Sequence, residues 1–150
     1  MDGQEASTYP QISNKIGNLR SCRSFSRAVA TNESRALLSL NIFKLYTLHN
    51  LDGIDIDWEY PGKQGASGNE VDASDSQNFL SFLRSLRATL PPTAVITAAA
   101  QTEPWTDSTG QVMPEMAEAL DWVLLMNYDT WQCELFHLLS SPYKQLIRRV

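Results

Sequence analysis

Cysteine is scarce: the chain holds two, Cys22 and Cys133, far apart and with no CxxC or His-spaced partner, which excludes a zinc or dithiol motif and leaves room for at most one disulfide. Clustered positive charge is missing too. Twelve Lys and Arg against seventeen Asp and Glu give a net charge of -5, and the only basic concentrations are Arg20 with Arg23 and Arg27, and Arg148 with Arg149. Phosphate neutralisation needs more than that, so neither nucleic acid nor an anionic membrane is an expected partner. No apolar run approaches the roughly 18 residues of a membrane-spanning helix. Met1 to Pro10 shows no basic region followed by an apolar stretch, so no export leader is read there.

What is present is an ordinary domain composition, 43% hydrophobic and 19% charged over 150 residues, with no repeat or low-complexity tract. The first twenty-odd residues are polar and aperiodic. From Glu33 to His49, Leu38, Ile42, Leu45 and Leu48 recur at three- and four-residue intervals, which predicts a helix with one buried stripe. Between Leu51 and Tyr60 the period drops to two: Ile54, Ile56 and Trp58 alternate with Asp55, Asp57 and Glu59, a strand with apolar and acidic faces. Ser74 and Gln77 form a capping-box pattern before a helix that Pro91-Pro92 stops. Ala94 to Ala100 reads as a buried strand, Pro114 to Leu120 as a short helix, and Trp122 to Tyr128 as a third strand. Strand and helix in alternation imply an α/β fold with a parallel sheet, in which chemistry collects at the carboxyl ends of strands.

The acidic face falls at such an end. Asp55, Asp57 and Glu59 project at steps of about 6.6 Å, and three carboxylates that close, partly shielded from water, cannot all hold their charge comfortably. Repulsion and desolvation raise at least one pKa, and the protons belong to the group more than to one residue. A carboxyl kept protonated near neutral pH is what a general acid requires. Two plainer readings compete. A calcium loop would use oxygen ligands at alternate positions, but the sixth residue from Asp55 is Tyr60 where an EF-hand needs glycine. A solvated acidic face is poorly served by flanking Ile and Trp.

Asp52-Gly53-Ile54-Asp55-Ile56-Asp57-Trp58-Glu59 resembles the DGxDxDxE signature of family 18 glycoside hydrolases, the chitinase family, at every specified position, and continues as Tyr60-Pro61-Gly62. Met126-Asn127-Tyr128-Asp129 is similar to the family's MxYD motif. The resemblance is greatest to fungal members and runs from about residue 25 to 131, leaving 1–24 as a poorly defined N-terminal segment and 132–150 as a divergent tail. It implies part of a (β/α)8 barrel, roughly strands three or four to six. No SxGG pattern marks a third strand in Lys15 to Arg27, and nothing after Trp131 resembles a seventh or eighth strand or the tryptophan that floors the sugar site. An open sheet with exposed edges is therefore expected.

The resemblance also implies a mechanism, the substrate-assisted exception among retaining glycosidases. The N-acetyl oxygen of the sugar attacks its own anomeric carbon, so the protein supplies one acid and groups that orient the acetamide. Glu59 is then the general acid and base, Asp57 the partner of the acetamido N–H, and Asp55 the residue behind Asp57. Tyr128, Met126 and Asp129 complete the sugar pocket. Trp105 and Trp131, in loops after strands, read equally as sugar-stacking or packing residues. No cofactor or metal is expected; the expected partner is chitin or an N-acetylglucosamine oligosaccharide, and the expected location is extracellular. An endo-β-N-acetylglucosaminidase is a close variant. The competing reading is a non-catalytic chitinase-like carbohydrate-binding protein or an inactive relic.

Overall fold

The structure is a computed structural model and describes residues 24–65 and 67–127. Helix α1 (Phe25–Val29) and helix α2 (Asn32–Leu48) precede strand β1 (Gly53–Ile56). Helix α3 (Asp75–Thr89), strand β2 (Val95–Ala100), helix α4 (Met116–Ala119) and strand β3 (Trp122–Leu125) follow. The three strands are parallel in the order β1-β2-β3, with Asp55 beside Thr97 and Thr97 beside Trp122. The α/β alternation read from the sequence is thus present, although β1 is shorter than the 51–60 expected: ladder pairing stops at Ile56 and the chain carries Asp57 and Glu59 beyond it.

Helix α2 begins at a true capping box. Thr31 Oγ1 accepts from the Ser34 amide at 3.1 Å, and Ser34 Oγ accepts from the Thr31 amide at 3.1 Å, so two otherwise orphan donors are satisfied together. The stripe differs from expectation. Ser39 and Ile42 are buried and Leu38, Phe43 and Tyr46 pack against the core, whereas Leu45 turns outward and Leu48 is 75% exposed. Leucines lie on both sides of this helix, so their spacing fits either face. The small Ser39 settles the matter by allowing close approach to α3, where its hydroxyl meets Ser85 Oγ at 3.1 Å.

Helix α3 starts where expected but by other means. Ser74 holds the N-cap position without a side-chain cap bond, and its amide is taken by Asp72 Oδ1 at 2.7 Å. The buried Asp75 does the anchoring. Its Oδ1 accepts from Ser26 Oγ at 2.6 Å, and its Oδ2 accepts from the amides of Asp72 at 2.9 Å and Gly62 at 3.3 Å. One carboxylate thereby joins α1, the loop after β1 and α3.

Phe79, Phe82, Leu83 and Leu86 of α3 pack with Ile54, Ile56, Ile96 and Ala98 of the sheet, and burial of each of these Phe, Leu and Ile side chains is worth about 1.5–3 kcal/mol. Trp58 stacks on Phe25 at 4.6 Å between ring centroids and meets Phe79 edge-on at 5.4 Å, which fixes the backbone between Asp57 and Glu59. Across the sheet lie Asp55, Thr97 and Leu124, the last 47% exposed, as expected of an open sheet. At the amino ends of the strands, Asp121 Oδ2 accepts from the Ile96 amide at 2.8 Å and from Arg87 Nη2 at 2.6 Å, while Arg87 Nη1 donates to the Ala94 carbonyl at 2.6 Å. No helix among the described residues is long and apolar enough to cross a membrane.

Candidate active site

The acidic residues do share one side of the chain at the carboxyl end of β1, and the fold grades their contact with water. Asp55 is 7% exposed, Asp57 is half-buried and Glu59 is exposed. Glycine makes the start of this strand possible: a Cβ on Gly53 would lie 2.6 Å from the Val95 carbonyl oxygen, so only glycine lets β1 and β2 approach as they do. Gly65 serves the other end, because a Cβ there would collide with the Glu59 carbonyl oxygen. That carbonyl also accepts from Asn69 Nδ2 at 3.4 Å, so the loop after β1 folds back onto the backbone of Glu59.

Asp55 accepts a hydrogen bond from Thr97 Oγ1 at 2.5 Å, a pairing buried in the sheet. Asp57 is treated in the opposite way. Its Oδ1 is buried and has no hydrogen-bond partner among the described residues. Burial first, then the charge of Glu59, a hydrogen bond shared with Glu59 and the charge of Asp55 together push the Asp57 carboxyl above the ordinary aspartate range. The expected raised carboxyl therefore falls on Asp57. Burial, followed by the Glu59 charge, likewise raises the Tyr60 phenol, whose hydroxyl lies by Glu59 and Gln101.

A cleft opens beside these groups, lined by Trp58, Tyr60, Gln101, Trp105 and Thr106 among others. Lys63 bridges the loops on either side of it, donating from Nζ to Glu103 Oε2 at 2.7 Å and to Gln101 Oε1 at 3.3 Å. Trp105 is half-buried and both lines the cleft and meets Phe79 edge-on at 6.1 Å, so it is at once wall and packing residue. Met126 lies just past β3, where its amide donates to the Ala100 carbonyl at 2.9 Å. Tyr128, Asp129, Trp131, Cys22 and Cys133 lie outside the described residues. Sequence reasoning missed Thr97 and Asp75. A threonine in an apolar strand and an acid in a helix's first turn are both common, and only strand register and tertiary contact give them meaning. Among the described residues no group of three or more His, Cys, Asp or Glu side chains is arranged to hold a metal ion.

A parallel sheet with helices on its crossovers and carboxylates gathered at the carboxyl end of a strand defines an α/β protein, a class in which ligands bind at that end of the sheet. The chain belongs to family 18 of the glycosyl hydrolases, whose family model matches residues 4–141. It is 36% identical over 121 residues to a chitinase-like effector of Moniliophthora roreri, covering 77% of this chain and 29% of that protein. It is 29% identical over 126 residues to chitinase A1 of Niallia circulans, covering 72% of this chain and 17% of the relative. Among solved structures, the chitinase RmChi1 of Rhizomucor miehei matches with a TM-score of 0.68 and 28% identity, over 76% of this chain and 38% of that one. The chain thus spans well under half the length of these relatives.

Proposed function

We propose that the chain carries the acid-bearing part of a chitinase-type active site, cleaving β-1,4-linked N-acetylglucosamine by substrate-assisted, retaining catalysis. In this reading β1, β2 and β3 correspond to the fourth, fifth and sixth strands of a (β/α)8 barrel, and the carboxyl ends of the strands face the substrate. Glu59, the most exposed of the three acids, protonates the glycosidic oxygen and then activates water. Asp57 accepts the acetamido N–H and stabilises the positive oxazolinium as it forms, and Asp55 stands behind it. Tyr128, Met126, Asp129 and the tryptophans Trp105 and Trp131 surround the sugar. The observation that carries this reading is that the buried Oδ1 of Asp57, beside Glu59, has no partner among the described residues. An acceptor held without a donor costs free energy in the empty protein, and that cost is recovered when a substrate N–H arrives. A secreted chitinase of Penicillium expansum among the relatives supports an extracellular setting and a chitin oligosaccharide as partner.

A second reading has an observation of its own. The relatives from Moniliophthora roreri and Moniliophthora perniciosa are described as chitinase-like effectors, which favours oligosaccharide binding without turnover. Hydrolysis of a fluorogenic chitobioside separates the two. Turnover that falls by about 10²–10⁴ in Glu59→Gln supports the enzyme. Turnover unaltered by Glu59→Gln removes the assignment, and saturable binding of a chitin oligomer with no hydrolysis supports the effector-like role.

A further inference from the structure

Strand β2 reads Val-Ile-Thr-Ala-Ala-Ala, so Thr97 is its one side chain with a polar atom, and it is 4% exposed. Parallel pairing sets it directly opposite Asp55 on the same face of the sheet. A β-branched residue has few χ1 choices in a strand, so the backbone largely dictates where this hydroxyl points. It points at Asp55 Oδ1, 2.5 Å away, as the donor. A hydroxyl given to a charged acceptor in a dry setting is worth roughly twice a neutral hydrogen bond. We propose that Thr97 is a positioning residue for the acidic strand, its buried hydroxyl holding Asp55 as a fixed, charged acceptor behind Asp57. The proposal rests on the reading of Asp57 and Glu59 as the reacting pair.

The charge so held acts on its neighbour. Among the described residues the titratable groups that bear on Asp57 are Glu59, Asp55 and Tyr60, all from its own segment; β2, packed alongside, brings Thr97 and no charged residue. A negative Asp55 discourages ionisation of Asp57, and Thr97 strengthens that effect without touching Asp57. Valine in its place fills the same space and gives no proton. The Asp55 carboxylate is then held less firmly in place behind Asp57, and its opposition to an ionised Asp57 relaxes.

The test is a carboxyl ¹³C NMR titration of the full 150-residue chain. In Thr97→Val the Asp57 midpoint falls by about 0.3 pH unit, and in Thr97→Ser, which restores the donor, it returns to the wild-type position. An unmoved midpoint in Thr97→Val, or a serine variant that behaves like valine, overturns the proposal. Should Thr97→Val fail to fold, the Asp55→Asn background decides, since no buried charge is left unpaired there. Asp55→Asn alone lowers the Asp57 midpoint, and adding Thr97→Val moves it no further; a further shift means that Thr97 acts by another route and sinks the idea. Chitobioside hydrolysis measured on the same wild-type sample keeps the outcomes apart, because a sample without turnover counts against the catalytic reading while the titration still reads the role of Thr97.

Discussion

Asp75 and Asp57 are the same residue under opposite treatment, and the contrast separates what holds this fold together from what it exposes to chemistry. Asp75 receives three donors, from Ser26, Asp72 and Gly62, and is fully buried. Asp121, at the amino ends of the strands, receives the Ile96 amide and the Arg87 guanidinium. At the carboxyl end, among the described residues, Asp57 has a buried oxygen with no donor, two other carboxylates for company and no cation among the groups that shift its ionisation. A structural carboxylate is surrounded by donors because an unpaired buried charge would unfold the chain. On the proposed reading, Asp57 is left short of donors because the substrate supplies the missing one.

The sharpest way to break that division is to remove Asp75. In Asp75→Ala three donors lose their shared acceptor and α1, the β1–α3 loop and α3 lose their common anchor, so urea unfolding is expected to lose about 3 kcal/mol or more, a large share of the stability of any domain. A loss no greater than that of a surface substitution would erase the distinction. Arg87→Ala comes next. It removes the bonds to Ala94 and Asp121 at a half-exposed site where solvent replaces part of what is lost, so about 1–2 kcal/mol is expected in the same measurement, with the cleft left unchanged.

How much of this was legible beforehand follows from the range of each interaction. The two-residue period of Ile54, Ile56 and Trp58 against Asp55, Asp57 and Glu59 is local, so the strand, its faces and the crowding of its acids could be read from ten residues. The α/β alternation was legible for the same reason. The stripe of α2 was not, because leucines on opposite sides gave two equivalent solutions and contact with Ser85 of α3 chose between them. Nor did the sequence distinguish Ser74 from Asp72 and Asp75 as the anchor of α3. That depends on Ser26 arriving from a helix 49 residues earlier. Thr97 stayed invisible since its partner is named only by the register of β2 on β1.

The smallest expected effect is the one of opposite sign. Asp57 is harder to ionise folded than unfolded, first because it is buried and then because Glu59 and Asp55 repel it. Its contribution to stability is therefore fully present below the ordinary aspartate range and is lost as pH rises through its raised folded value. Asp57→Asn keeps the shape and never ionises. Near neutral pH the variant should melt above wild type, and the gap should close as the pH falls below the ordinary aspartate range. Solvent reaches this half-buried carboxyl and screens the repulsion, which limits the gain to a fraction of a kcal/mol, about 1–2 °C in Tm. If the proposed role of Asp57 holds, the same substitution lowers chitobioside turnover while raising Tm. The opposite slope, with Asp57→Asn melting below wild type at neutral pH and meeting it in acid, would mean that the folded chain stabilises the Asp57 anion and that this carboxylate belongs with Asp75 and Asp121.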